Sequence, residues 1–87
     1  MTQALRLTLF GTSGCHLCEQ AEWLLLPLAQ AQGWQLQLCD IAEQADSEDL
    51  ISRYGSRIPV LRLDDAELDW PFEASTVQAW LATHGGQ

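Results

Sequence analysis

The chain has 87 residues and a net charge of −8, set by 12 acidic residues against four arginines and no lysine. That length suits one domain, residues 1–87, and that charge repels phosphate backbones and anionic lipid, which argues against nucleic-acid and membrane-surface partners. No run approaches the roughly 20 apolar residues of a membrane span, and Met1–Leu9 lacks the basic start and long apolar run of a signal peptide.

In chain order, Leu5, Leu7 and Leu9 alternate with Arg6 and Thr8, then Phe10 follows, which predicts a strand ended by the Gly11–Gly14 loop. From Cys15 the period changes to that of a helix running to about Gln32, with Leu17, Ala21, Leu24, Leu25 and Leu28 on its core stripe. Pro27 inside that helix predicts a kink, and Gly33 a stop. Trp34, Leu36 and Leu38 alternate with glutamines in a second strand ending near Cys39-Asp40-Ile41.

Asp46 or Ser47 is placed to cap a second helix, with Leu50, Ile51 and Tyr54 on its apolar side and Gly55 as its terminator. A third strand is expected over Ile58–Leu63. Asp64-Asp65 reads as a turn rather than a catalytic carboxylate pair, with Leu68 and Trp70 in the returning strand of a hairpin. A last helix is expected from Glu73 to His84, frayed by Gly85-Gly86. The order β-α-β-α-β-β-α predicts an α/β fold, a right-handed parallel first β-α-β unit and an antiparallel hairpin, with helices on both faces of a small mixed sheet.

Three cysteines are an odd count, which argues against a secreted disulfide framework and for a reducing cytoplasm. Two of them, Cys15 and Cys18, form a Cys-x-x-Cys pair in "GTSGCHLCEQ". Zinc, inert thiols and redox chemistry are the three readings. Zinc needs two further ligands, and Cys39, His16 and His84 form no second pair of metal-binding spacing. Position favours redox chemistry: Cys15 lies where a helix begins, and unpaired amides and the positive helix end favour a thiolate there. Cys18, one turn inside, is within reach to close a disulfide and expel a bound partner. His16, as a cation beside the nucleophile, would tune that thiolate. Leu17 reads as core, Trp23 and Leu26 as buried between elements, Cys39 as a small buried hydrophobe, and Arg62 as facing Glu67 or Asp69 across the hairpin.

With "RIPV", residues 57–60, at the entry of the third strand, the chain resembles the thioredoxin superfamily along essentially its whole length. Within it the chain is most similar to small bacterial glutaredoxin-like domains with a "C-H-L-C" centre and a "YG-x-R-[IV]-P-V-L" stretch, here Tyr54–Leu61. The resemblance implies a thioredoxin fold with strand order 2-1-3-4, Cys15 as nucleophile, Cys18 as resolving cysteine, and Pro59 in cis beside them. It also implies that Ile58 offers its backbone to a substrate in a strand-like pairing. The expected activity is thiol–disulfide exchange by a monomer with no required cofactor or metal. Its partners would be a disulfide-containing protein or small thiol and a reductant, either glutathione or a thioredoxin-type system. Arg53 and Arg57 are candidates to hold glutathione carboxylates, or else to pair with Asp49 or Asp46.

The chain departs from the standard members. It has neither Cys-Pro-Tyr-Cys nor Cys-Gly-Pro-Cys, Gly14 stands before Cys15 in place of a lysine-led approach, and Arg57-Ile58-Pro59 replaces Thr-Val-Pro. Trp70-Pro71-Phe72-Glu73 occupies the place of the Gly-Cys-Asp-Asp glutathione clamp. Two other classes stay open on these residues: an iron–sulfur or metal-binding glutaredoxin-like protein, and a non-catalytic interaction module on the same fold.

Overall fold

The computed structural model describes residues 5–84; the expected fraying at Gly85-Gly86 lies outside them. The elements run β1 (Arg6–Gly11), α1 (His16–Gln32), β2 (Gln35–Asp40), α2 (Ser47–Tyr54), β3 (Val60–Leu63), β4 (Ala66–Asp69) and α3 (Ala74–His84). The sheet order is β2-β1-β3-β4. Strand β1 pairs in parallel with β2, from Arg6 opposite Gln35 to Gly11 opposite Asp40, and antiparallel with β3, Phe10 opposite Val60. The β3–β4 hairpin turns on Asp64-Asp65, with Leu63 opposite Ala66 and Asp64 at φ 53°. This is the mixed sheet and strand order of a thioredoxin fold.

Alternation along the strands gives each sheet face its own core. Leu7 and Leu9 of β1 and Leu61 and Leu63 of β3 pack with Ala21, Leu25, Phe72, Val77 and Leu81, which puts α1 and α3 on one face. Phe10 and Val60 point the other way and pack with Ile41, Leu50 and Tyr54 under α2. Phe10 and Tyr54 stack with ring centroids 4.4 Å apart.

Helix α1 is rotated from the expected stripe. Its buried line is Cys18, Ala21, Leu25 and Ala29, so Leu17, one residue off that line, is 45% exposed rather than core. Trp23 at 65% and Leu26 at 38% lie on the far side and are not buried between elements. Alanines at two of the four buried positions let the helix lie close to the sheet. Pro27 is accommodated within a single helix, which ends at Gly33 in the left-handed conformation.

Helix α2 buries Leu50 and Tyr54 but leaves Ile51 exposed, and its N-cap residue Asp46 makes no side-chain capping bond. Gly55 does not end it by a left-handed turn, since its φ is −55°. A β-carbon there would instead come within 2.5 Å of the Ile51 carbonyl oxygen, so close approach is what calls for glycine. Strand β3 starts at Val60, two residues later than expected. The Ile58–Pro59 and Trp70–Pro71 peptides, before β3 and after β4, are cis. No described helix is long and apolar enough to cross a membrane.

Candidate functional site

Parallel pairing brings the C-terminal ends of β1 and β2 to one end of the sheet, and antiparallel pairing brings the start of β3 there too. The Cys15 turn, Asp40 and the Ile58–Pro59 turn therefore share that end. The first turn leaves β1 at Gly11, passes Gly14 at φ 79°, and enters α1 with Cys15 as its N-cap residue. A side chain at position 14 would be strained at that φ, which accounts for the glycine there.

Cys15 has extended backbone, φ −88° and ψ 107°, and its sulfur accepts the Cys18 amide N–H at 3.2 Å. The thiol thus stands where a capping oxygen normally would, facing the unpaired amides of the helix start. Such a place favours the thiolate over the thiol. The two cysteines are joined as a disulfide with their Cα atoms 5.2 Å apart, a span the bond accommodates without backbone movement. Cys15 is half-buried and Cys18 buried, so the accessible sulfur belongs to the residue at the helix start.

Gly11 sets the depth of Cys18. A β-carbon on Gly11 would lie 3.1 Å from both the β-carbon and the sulfur of Cys18, so the strand can approach α1 this closely only without one. Beside Cys18 is a cavity of about 130 Å³ whose polar lining comes from Thr12, Glu22 and Asp40. Asp40 holds the turn from across β2: one carboxylate oxygen accepts the Ser13 amide at 3.2 Å and the other the Ala42 amide at 2.9 Å. Its role was not read from the sequence, although an aspartate two residues before an amide at a strand end is a recognisable turn former.

The other predicted residues fall as follows. His16 is exposed as the first residue of α1. Cys39 is half-buried rather than fully buried, and its thiol is pushed up by burial and then by Asp46 and Asp40, which keeps it protonated. His84 is exposed and packs its ring against Trp80 at 5.8 Å. Among the described residues no three His, Cys, Asp or Glu side chains converge as metal ligands.

Ile58 and Pro59 lie at the right end of the sheet, with Pro59 buried and its carbonyl accepting the Trp70 amide at 3.2 Å. The Ile58 amide is already committed, donating to the Tyr54 carbonyl at 2.9 Å. Arg53 pairs loosely with Asp49 at 3.8 Å, as one expectation had it.

Arg57 does not pair with Asp49 or Asp46. Its Nε and Nη2 donate to the two Asp69 oxygens at 3.0 and 2.7 Å, and Nη2 also donates to Glu67 at 2.8 Å. Those acids are thus taken by Arg57 and not by Arg62, whose Nε donates to the Asp64 carbonyl at 2.6 Å. Hydrogen bonds from Arg57 draw Asp69 and Glu67 below the usual carboxylate range, and the same bonds hold Arg57 more firmly protonated.

The sequence model of the family described as "Glutaredoxin-like domain (DUF836)" matches residues 6–82. The chain belongs to this family. Among solved structures it is similar to protein Ne2328 from Nitrosomonas europaea, determined in solution by NMR, with 28% identity and a TM-score of 0.75. That match covers 92% of this chain and 94% of the other. No curated protein matches. A glutaredoxin-like domain with a proximal cysteine pair at a helix start is a redox-type member of the thioredoxin superfamily.

Proposed function

We propose that this glutaredoxin-like domain is a thiol–disulfide oxidoreductase working through Cys15 and Cys18. The observation that carries the reading is the Cys15 sulfur in the N-cap position, accepting the Cys18 amide on the less buried residue of the pair, with Cys18 one turn on and buried. In the reductive direction the Cys15 thiolate attacks a substrate disulfide R–S–S–R′. A Cys15–S–S–R bond forms, and R′–S⁻ leaves and takes a proton from solvent. Cys18 then loses its proton and attacks the Cys15 sulfur, forming the Cys15–Cys18 disulfide and releasing R–S⁻. Two electrons pass from the dithiol to the substrate, and an external thiol reductant restores the dithiol by the reverse exchange.

His16 tunes the Cys15 thiolate, and Ile58 with Pro59 forms the edge on which the substrate lies. Substrates are disulfide-containing proteins or small thiols. The reductant is glutathione or a thioredoxin-type system, and the domain acts as a cytoplasmic monomer without a bound cofactor. Reduced protein mixed with a disulfide-bonded peptide should release free peptide thiol and end as the Cys15–Cys18 disulfide, visible as a loss of two hydrogens by mass spectrometry. Thiol release by Cys15→Ser at the wild-type rate would contradict the assignment.

A further inference from the structure

The edge strand β4 carries two acids on one side, Glu67 and Asp69, and neither serves the hairpin itself. Both reach across to Arg57, in the turn between α2 and β3. Glu67 is fixed in turn by the Tyr54 hydroxyl, which donates to its second oxygen at 2.7 Å. Tyr54 is fully buried and stacked on Phe10, the residue before Gly11, where the cysteine turn begins. The guanidinium carbon also lies 5.3 Å from the centre of the Tyr54 ring. An unbroken set of contacts thus runs from the core beneath the cysteine turn, through Tyr54 and Glu67, to Arg57 and so to Ile58–Pro59.

We propose that Arg57 is a positioning residue for disulfide exchange, fixing the Ile58–Pro59 edge between Tyr54 and β4 rather than touching the substrate. The proposal rests on the oxidoreductase reading above. Direct capture of a substrate carboxylate fits the geometry poorly. Nε and Nη2 are spent on Asp69 and Glu67, Nη1 leans on the Arg53 carbonyl at 3.5 Å, and an incoming carboxylate would meet two others. The planar fork matters as well as the charge, because Nε and Nη2 bind Asp69 side by side, which a lysine cannot reproduce. The backbone here is otherwise tied through the Arg57 and Ile58 amides to the Tyr54 carbonyl at 2.8 and 2.9 Å and, past Ile58, by the Pro59 carbonyl, which accepts the Trp70 amide at 3.2 Å. Removing the side chain leaves residues 57 and 58 without a tie of their own to β4, so the edge is held there by the Pro59–Trp70 bond alone.

Partly exposed ion pairs contribute little to stability, so the substitution should loosen the edge without unfolding the domain. The experiment compares reduced wild type, Arg57→Ala and Arg57→Lys in three reactions: alkylation of Cys15 by iodoacetamide, exchange with glutathione disulfide, and exchange with a disulfide-bonded peptide whose termini are acetylated and amidated. The expected result is an alkylation rate within twofold of wild type and a fall of roughly tenfold in both exchange rates, since misplaced binding groups cost about that or more. Arg57→Lys should not restore the rate.

A loss confined to glutathione disulfide would overturn the proposal in favour of carboxylate binding. Equal loss in alkylation and exchange, or no loss in either, would overturn it as well. Failure of the wild type itself to exchange with either disulfide, while still being alkylated, would instead bring down the oxidoreductase reading and this inference with it.

Discussion

Two turns meet at the same end of the sheet and are held in different ways. The cysteine turn is held mainly by packing and local backbone bonds, with one carboxylate, Asp40, accepting the Ser13 amide. Cys18 presses on Gly11, Ala21 and Leu25 seat α1 on the sheet, and Cys15 caps its own helix. The Arg57–Pro59 turn is held by charged side chains from β4, ten and twelve residues away in sequence. Packing is insensitive to salt and pH, whereas ion pairs respond to both. The cysteine pair thus sits on the packed side of this end of the sheet and the Ile58–Pro59 turn on the charged side.

The largest effect should come from loosening the packed side. Leu25→Ala empties a fully buried position beneath α1 and is expected to cost about 2–5 kcal/mol in urea unfolding. A cost near zero would mean that the helix carrying the cysteines is not seated by that face. Gly11→Ala forces a β-carbon against Cys18 and should cost about 1–3 kcal/mol. It should also shift the Cys15–Cys18 reduction potential, because Cys18 must move; a variant with wild-type potential and stability would show the close approach to be immaterial.

The charged side predicts a smaller effect that depends on pH. Folded Glu67 and Asp69 have lowered pKa values, chiefly through hydrogen bonds from Arg57, so their contribution is complete above the ordinary carboxylate range. It is lost as pH falls through the depressed values. Both carboxylates are partly solvated, so about 0.5–1 kcal/mol is the expected size after screening. Chemical unfolding at neutral and acid pH should show Arg57→Ala and wild type converging in acid; a constant gap between them would break the contrast between the two turns. The smallest effect concerns His16. Under the tuning role proposed for it, removing the side chain should lower the reduction potential by about 10–20 mV, the equivalent of a surface ion pair. Redox titration of His16→Ala against a thiol couple reads it, and an unchanged or raised potential dismisses the tuning role.

What could be read in advance follows the same division. Strand alternation, the change of period after Gly14 and the Cys15–Cys18 spacing are local signals, so the element order, the sheet and the cysteine pair at the helix start were legible. The phase of α1 was not: both Leu17 and Cys18 are compatible with an apolar stripe, and only the alanines packed on the sheet decide which faces inward. Arg62 stands opposite Glu67 in the hairpin register, so local pairing rules favour that pair. Arg57 takes the acid instead because Tyr54, buried against Phe10, holds Glu67 turned toward α2. Contacts between residues so far apart leave no periodic trace in a single sequence.

The central claim is that the two cysteines divide the work, with Cys15 attacking and Cys18 releasing. Its most direct test is the mass of the covalent adduct formed when each reduced single variant meets a disulfide-bonded peptide. The account predicts that Cys18→Ser retains one peptide on Cys15 and that Cys15→Ser retains none. Equal adducts on the two variants, or an adduct only on Cys15→Ser, would contradict it.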